Sequence, residues 1–137
     1  MDSVAAMVAA AVLYVTDLVR IRAFYETCFG MSEIESADAE FCVLASDDWE
    51  LALVAAPAPT APVIATPPRR REHVPIKLAF DVLDIEGLLS TVIATGGQAE
   101  AIGRAWEFRG RRHLDCLDPE GNVVQLRDRL PSPSEPA

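Results

Sequence analysis

Two aspartates 67 residues apart, Asp17 and Asp84, each stand between a short apolar run and a stretch of helical spacing. Val15 recurs as Val82, Leu18 as Ile85 and Gly30 as Gly97 at the same offset. Each position has a structural job: strand end, helix cap, apolar helix residue, helix stop. A chain that repeats these jobs in order repeats a folding unit. The first copy reads as a buried strand over 8–16, then a helix carrying Leu18, Ile21, Phe24, Tyr25 and Phe29. Strands follow near Ser32–Glu35, Phe41–Ala45 and Glu50–Ala55, the last two joined by the turn Ser46-Asp47-Asp48. The second copy reads as a strand over 77–84 and a helix carrying Ile85, Leu88, Leu89, Val92 and Ile93, ended by Gly96-Gly97. A strand near Gln98–Ile102, a loop holding Trp106, and a strand around His113–Leu117 come next. Asp118-Pro119-Glu120-Gly121 then turns the chain into a last strand, in which Val123, Gln125 and Arg127 share one face. The expected fold is α+β: two tandem βαβββ modules, each with a curled half-sheet that buries one face on its helix, the other faces being free to enclose a cavity.

A chain of 137 residues suits one domain, here 1–130. Module one is expected over 8–56, a connecting loop over 57–75 and module two over 76–129, with a disordered tail over 131–137. The loop assignment rests on Pro57, Pro59, Pro62, Pro67, Pro68 and Pro75, which break helices and sheet ladders. Arg69, Arg70 and Arg71 lie inside it, and read either as a solvated basic loop or as a flap or partner contact.

A net charge of −9 argues against nucleic acid as a partner, because phosphate binding needs a basic face. Cys28, Cys42 and Cys116 match no zinc spacing and no CxxC pair, which reads as reduced thiols in a cytoplasmic protein. The apolar run from Met7 to Val15 has Asp2 before it rather than a basic segment, and it is too short to span a bilayer, so no membrane association is expected.

YVTDLVRIRAFYETCFGM (14–31) and LDPEGNVVQL (117–126), together with the duplication, resemble the vicinal oxygen chelate superfamily. This is the group of glyoxalase I, extradiol dioxygenases, fosfomycin-resistance enzymes and bleomycin-resistance proteins. The resemblance covers about residues 8–129. Its metal-dependent members place His, Gln or Glu on the first strand and on the last strand of each half. Matched onto this sequence, those positions are Ala10, Ala52 (with Glu50 as the alternative register), Lys77 and Gln125. Alanine has no donor atom and a protonated lysine repels a cation, so the resemblance implies no metal and no cofactor here. A relocated site using His113, Asp115 and Glu107 or Glu50 is the competing reading.

Without metal, the inward surface still has character. Ala10, Val12 and Tyr14 alternate on the first strand, and Trp49, Trp106, Phe41 and Phe108 are candidate aromatic walls. Core packing is the better reading for Phe41 and Phe108. Lys77 and Gln125 are the polar anchors, and Lys77 has Asp81 or Asp115 as a candidate partner. The ligand-binding set is therefore Tyr14, Trp49, Lys77, Trp106, Asp115 and Gln125, with no catalytic residue assigned.

In GRAWEFRGRR, Trp106, Gly110, Arg111 and Arg112 follow an order similar to the bleomycin-resistance branch. Those proteins are acidic, metal-free homodimers that sequester a drug. The resemblance thus implies a small-molecule binder, sequestering an antibiotic or aromatic natural product, and a homodimer. The arginine loop and Lys77 would not welcome a polycation, and a flat aromatic or anionic ligand is equally open. Two other readings stand beside it. One is a lyase, isomerase or dioxygenase with relocated metal or Lys77, Tyr14 or His113 acid–base chemistry. The other is a structural partner whose Ala9, Ala10 and Ala11 pack a dimer interface.

Overall fold

The computed structural model describes residues 8–57 and 64–130. The expected tail, Met7, Pro59 and Pro62 lie outside the described residues. The chain divides into two compact units between Ile64 and Ala65.

In the first unit, β1 (Ala9–Val15) leads to α1 (Leu18–Phe29), then β2 (Ser32–Ala37), β3 (Phe41–Ser46) and β4 (Trp49–Ala55). The sheet order is β1-β4-β3-β2, with β1 parallel to β4 and the other pairs antiparallel. Asp17 Oδ1 accepts the Arg20 N–H at 3.1 Å, which satisfies one of the orphan donors of the first helical turn. Gly30 closes the helix at φ 65°, a left-handed conformation that costs glycine nothing, and its N–H bonds the Glu26 carbonyl. The helix buries Ile21, Phe24, Tyr25 and Cys28. The strands bury Val15, Cys42, Leu44, Leu51 and Leu53 at alternate positions. Each fully buried large side chain contributes about 1.5–3 kcal/mol relative to exposure.

In the second unit, β5 (Leu78–Asp81) leads to α2 (Ile85–Ala94), then β6 (Gln98–Ala99), β7 (Trp106–Phe108), β8 (Arg111–Leu117) and β9 (Val123–Arg129). The order is β5-β9-β8-β6, and β7 also pairs with β8. The β5–β9 pair is parallel; the rest are antiparallel. Asp84 Oδ2 caps α2 through the Gly87 N–H at 3.2 Å, the counterpart of Asp17. A second carboxylate serves the same helix end. Asp128, reaching from β9, accepts the Ile85 N–H at 2.8 Å and takes Arg112 on both oxygens. Burial pushes the Asp128 carboxyl up, but Arg112 and the Ile85 N–H together hold it below the ordinary carboxylate value.

Five expectations need correction. The Trp106 segment is not a loop but β7, a three-residue strand on the edge of β8. The strand expected near Gln98–Ile102 is only Gln98–Ala99, and a 3-10 turn over Ile102–Arg104 separates it from β7 along the edge of β8. All three β7 side chains are exposed, so no apolar alternation betrays it. The strand expected over 77–84 is confined to Leu78–Asp81. Gly30 and Gly97 are not equivalent stops: α2 ends at Ala94, and Gly96 takes the positive φ of 96°.

The last correction concerns the arginine loop, which docks rather than standing in solvent. The Arg71 N–H bonds the Gly121 carbonyl at 3.0 Å and its Nε bonds the Glu120 carbonyl at 3.0 Å. Arg70 lies 3.7 Å from Asp115 and 3.9 Å from Glu100. The Asp-Pro-Glu-Gly turn forms as expected, held by the Gly121 N–H on the Asp118 carbonyl. Gly121 sits at φ 84°, and a Cβ there would lie 1.9 Å from the Arg69 carbonyl oxygen. The loop and the turn therefore require each other.

Candidate functional site

Residues directly opposed in neighbouring strands share a face of the sheet. In the second unit β8 and β9 oppose His113 to Arg127 and Asp115 to Gln125, and β7 opposes Trp106 to His113 and Phe108 to Arg111. β5 adds Asp81 beside Arg127. The alternate residues Leu114, Cys116, Val124 and Leu126 are buried, and Asp128 among them bonds the start of α2. The sheet thus lays its aliphatic residues on the helix and sets Arg111, His113, Asp115, Gln125 and Arg127, with Trp106 and Phe108, on the opposite face.

That face carries a cleft of about 440 Å³, lined by Trp106, Phe108, Arg109, Arg111, His113, Gln125 and Arg127. Its size falls in the ordinary range of small-molecule sites, about 300–1,000 Å³. Trp106 stacks on His113 with centroids 5.5 Å apart and planes 14° apart. Phe108 leans on the same imidazole at 6.0 Å and is 59% exposed. Lys77 Nζ stands 5.7 Å from the Trp106 ring centroid, a cation–π distance. His113 is buried, with Nε2 3.0 Å from the Phe108 carbonyl and Nδ1 3.0 Å from the Gln125 amide. With Nε2–H donating to that carbonyl, a neutral ring takes the Gln125 NH₂ at Nδ1, whereas an imidazolium takes the amide oxygen. Either way the Gln125 side chain is engaged.

Lys77 pairs with Asp115, Nζ lying 3.1 and 3.3 Å from its two oxygens. Of the two partners anticipated for Lys77, Asp115 is the one used. Asp81 serves Arg127 at 2.8–2.9 Å and bonds Arg111 as well. Burial alone pushes the Asp81 carboxyl up, but the Arg111 hydrogen bond and the Arg127 charge outweigh it and hold its pKa below the ordinary value.

Of the residues anticipated for binding, Lys77, Trp106, Asp115 and Gln125 come together around this face. Tyr14 and Trp49 belong to the first unit. There Ala10, Val12 and Tyr14 line one face of β1, opposed to Glu50, Ala52 and Val54. Val12 and Tyr14 are 58% and 65% exposed. Trp49 opposes Ala9 and alternates with Glu50, so it points to the helix side and does not join Tyr14. Phe108, anticipated as core, lines the cleft instead. Arg109, Arg111 and Arg127 were not anticipated as site residues. Two signals could have found them. Arg127 shares the face of Gln125 by strand alternation, and Arg109-Gly110 is a two-residue hairpin turn between β7 and β8.

The donor set does not fit a divalent metal. Ala10 and Ala52 offer nothing, the Lys77 ammonium is cationic and paired with Asp115, and Gln125 is held by His113. His113 and Asp115 do share a face of β8. Glu107 opposes Arg112 on the other face, so the version of the relocated set that uses Glu107 does not converge, and Glu50 belongs to β4 of the first unit. Among the described residues, no group of three or more His, Cys, Asp and Glu side chains could hold a metal ion. All three cysteines are buried, and none is joined in a disulfide. Burial raises the Cys42 thiol above its ordinary pKa, against the nearby Arg22. No described helix is long and apolar enough to cross a membrane.

Comparison with known proteins places this architecture. A glyoxalase/bleomycin resistance protein/dioxygenase family enzyme from Burkholderia phytofirmans superposes with a TM-score of 0.68 at 23% identity, covering 90% of this chain and 99% of that one. A putative glyoxalase from Bacillus halodurans gives 0.67 at 16% identity, covering 89% and 95%. A fosfomycin resistance protein from Mesorhizobium loti gives 0.62 at 14% identity, covering 90% and 92%. At these identities the likeness establishes the fold, an α+β glyoxalase-like fold with two helices and mixed sheets. No curated protein sequence matches the chain. The family profile itself matches residues 7–126, nearly the whole length. The duplicated capped helices, the Asp-Pro-Glu-Gly turn and this match lead to one conclusion: the chain belongs to the Glyoxalase/Bleomycin resistance protein/Dioxygenase superfamily.

Proposed function

We propose that the protein binds a small molecule on the aromatic and cationic face of its second sheet, without a divalent metal, and sequesters an antibiotic or an aromatic natural product. One observation carries this reading. The two polar residues at the family's ligand positions are committed to protein partners, Lys77 to Asp115 and Gln125 to His113. What they support is a shaped polar cleft rather than a coordination sphere. The decisive experiment is metal content by mass spectrometry on untagged protein, with thermal melting against zinc, nickel, manganese and iron(II). The reading expects no stoichiometric metal and no metal-dependent shift. A retained stoichiometric metal overturns it.

A second reading has its own support. Lys77, His113 and Asp115 share the sheet face with the cleft, and a lysine–histidine pair can do acid–base chemistry in a lyase or isomerase. Lys77→Ala separates the two. Lost turnover with retained binding favours an enzyme, and weakened binding in a protein that turns nothing over favours a binder. The proposal also includes a homodimer, to which sedimentation velocity speaks, and a cytoplasmic location, which three buried cysteines outside any disulfide support.

A further inference from the structure

The chain as a whole is acidic, yet its cleft is not. Three guanidinium groups, Arg109, Arg111 and Arg127, line it. Arg111 and Arg127 share the single carboxylate of Asp81. Arg109 has no hydrogen-bond or ion-pair partner among the described residues. Three positive charges against one negative leave an excess of two, in a protein whose net charge is −9. Across the sheet, Arg111 also opposes Arg129, a like-charge pair that costs stability unless something neutralises it.

Arg109 adds an independent observation. It and Gly110 form the two-residue turn of the β7–β8 hairpin, with φ of 54° and 76°. Positive φ at both positions suits Asn-Gly or Gly-Gly. An arginine there is strained, and strain of this kind collects at ligand sites. The turn holds the unpaired guanidinium beside the exposed ring of Phe108 and the partly exposed indole of Trp106.

We infer that the cleft takes a planar aromatic oxyanion, a flat ring system bearing a carboxylate or phosphate, with its charged oxygens on the arginines and its ring against Phe108 and Trp106. This deepens the binding reading above and rests on it. A guanidinium fork matches a carboxylate or a phosphate in two parallel hydrogen bonds, and the two aromatic side chains supply the apolar contact. A cationic ligand is disfavoured by the same arginines.

The test is a titration of full-length ¹⁵N-labelled protein, followed at the indole N–H signals of Trp49 and Trp106, which a Trp49→Phe variant assigns. The probes are 1-naphthoate, 1-naphthyl phosphate, 1-naphthamide, 1-naphthylmethylamine and inorganic phosphate. The inference expects the two anionic naphthyl probes to shift the Trp106 signal, with binding that weakens as salt is added. The amide and the amine should bind about tenfold or more weaker, the loss expected for a charge-assisted contact.

Arg109→Asn should raise the melting temperature, because asparagine suits the turn, while weakening naphthoate about tenfold. Unchanged naphthoate affinity in that variant overturns the role of Arg109. Equal or tighter binding of the amide or amine overturns the acid class and leaves the small-molecule cleft standing. Inorganic phosphate matching naphthyl phosphate overturns the aromatic requirement. No response to any probe overturns the inference as a whole. A metal that is retained and required for naphthoate binding instead sinks the metal-free reading while leaving the acid class intact.

Discussion

On the first sheet, the face away from the helix carries Ala10, Val12, Tyr14 and Ala52; on the second, the corresponding face carries Arg111, His113, Gln125 and Arg127. The scaffolds beneath are closely alike. Each helix starts at an aspartate whose carboxylate takes an N–H three residues on, and each sheet has its first strand parallel to its last. Duplication therefore preserved the parts that fold the chain, and the exposed faces diverged. The face that folds against a helix must stay aliphatic, because each lost buried group costs kilocalories. The other face carries no such demand, so it is where chemistry can change.

The largest effect should separate two glycines. Gly30 and Gly121 both have positive φ, but only at Gly121 would a Cβ meet a backbone atom, the Arg69 carbonyl. Gly121→Ala should cost roughly 3 kcal/mol or more, against about 1–2 kcal/mol for Gly30→Ala, read by chemical denaturation. Equal losses would mean that the arginine loop does not hold the turn.

Next comes the Asp128–Arg112 pair of the second unit, whose carboxylate is buried. Asp128→Asn should cost roughly 2–3 kcal/mol at neutral pH, since Arg112 and the Ile85 N–H lose a charged acceptor. The folded pKa of Asp128 is depressed, so the unfolded chain binds its proton more readily. Its contribution is present above the unfolded carboxylate pKa, about 3.9, and is lost as pH falls through the lower folded value. Wild-type stability should thus fall below about pH 4 by more than that of Asp128→Asn. Parallel acid profiles would remove Asp128 from the comparison.

A smaller effect tests the likeness rather than the difference. Asp17→Ala and Asp84→Ala should each cost about 1 kcal/mol. Their losses should agree within about 0.5 kcal/mol, because the additional Arg112 contact of Asp84 is exposed. A clear inequality would show that the two caps are not equivalent. The smallest effect is expected at Tyr14. Tyr14→Ala should change stability by no more than about 0.5 kcal/mol in the monomeric protein. A larger, concentration-dependent loss would mean that a second copy covers that face.

Much of this structure was legible in the amino-acid order. Asp17, Asp84, Gly30 and the Asp118-Pro119-Glu120-Gly121 turn act on neighbours within four residues, so their chemistry announces itself locally. The alternation in β3, β4 and β9 likewise reports a half-buried strand without reference to its partner. The candidate site was legible only in pieces: Gln125 and Lys77 as anchors, Trp106 as an aromatic wall. Its assembly depends on which strands become neighbours. Lys77 finds Asp115 across 38 residues, and Arg127 finds Asp81 across 46, because β9 inserts between β5 and β8. Trp106 lies in a strand only because β8 offers a free edge to pair with, and Arg109 faces the cleft only because that pairing makes a tight turn of it. Local order determined the caps, the turns and the two-fold plan. Long-range pairing decided that an acidic chain would bring Arg109, Arg111 and Arg127 together with Trp106 and Phe108 on one face.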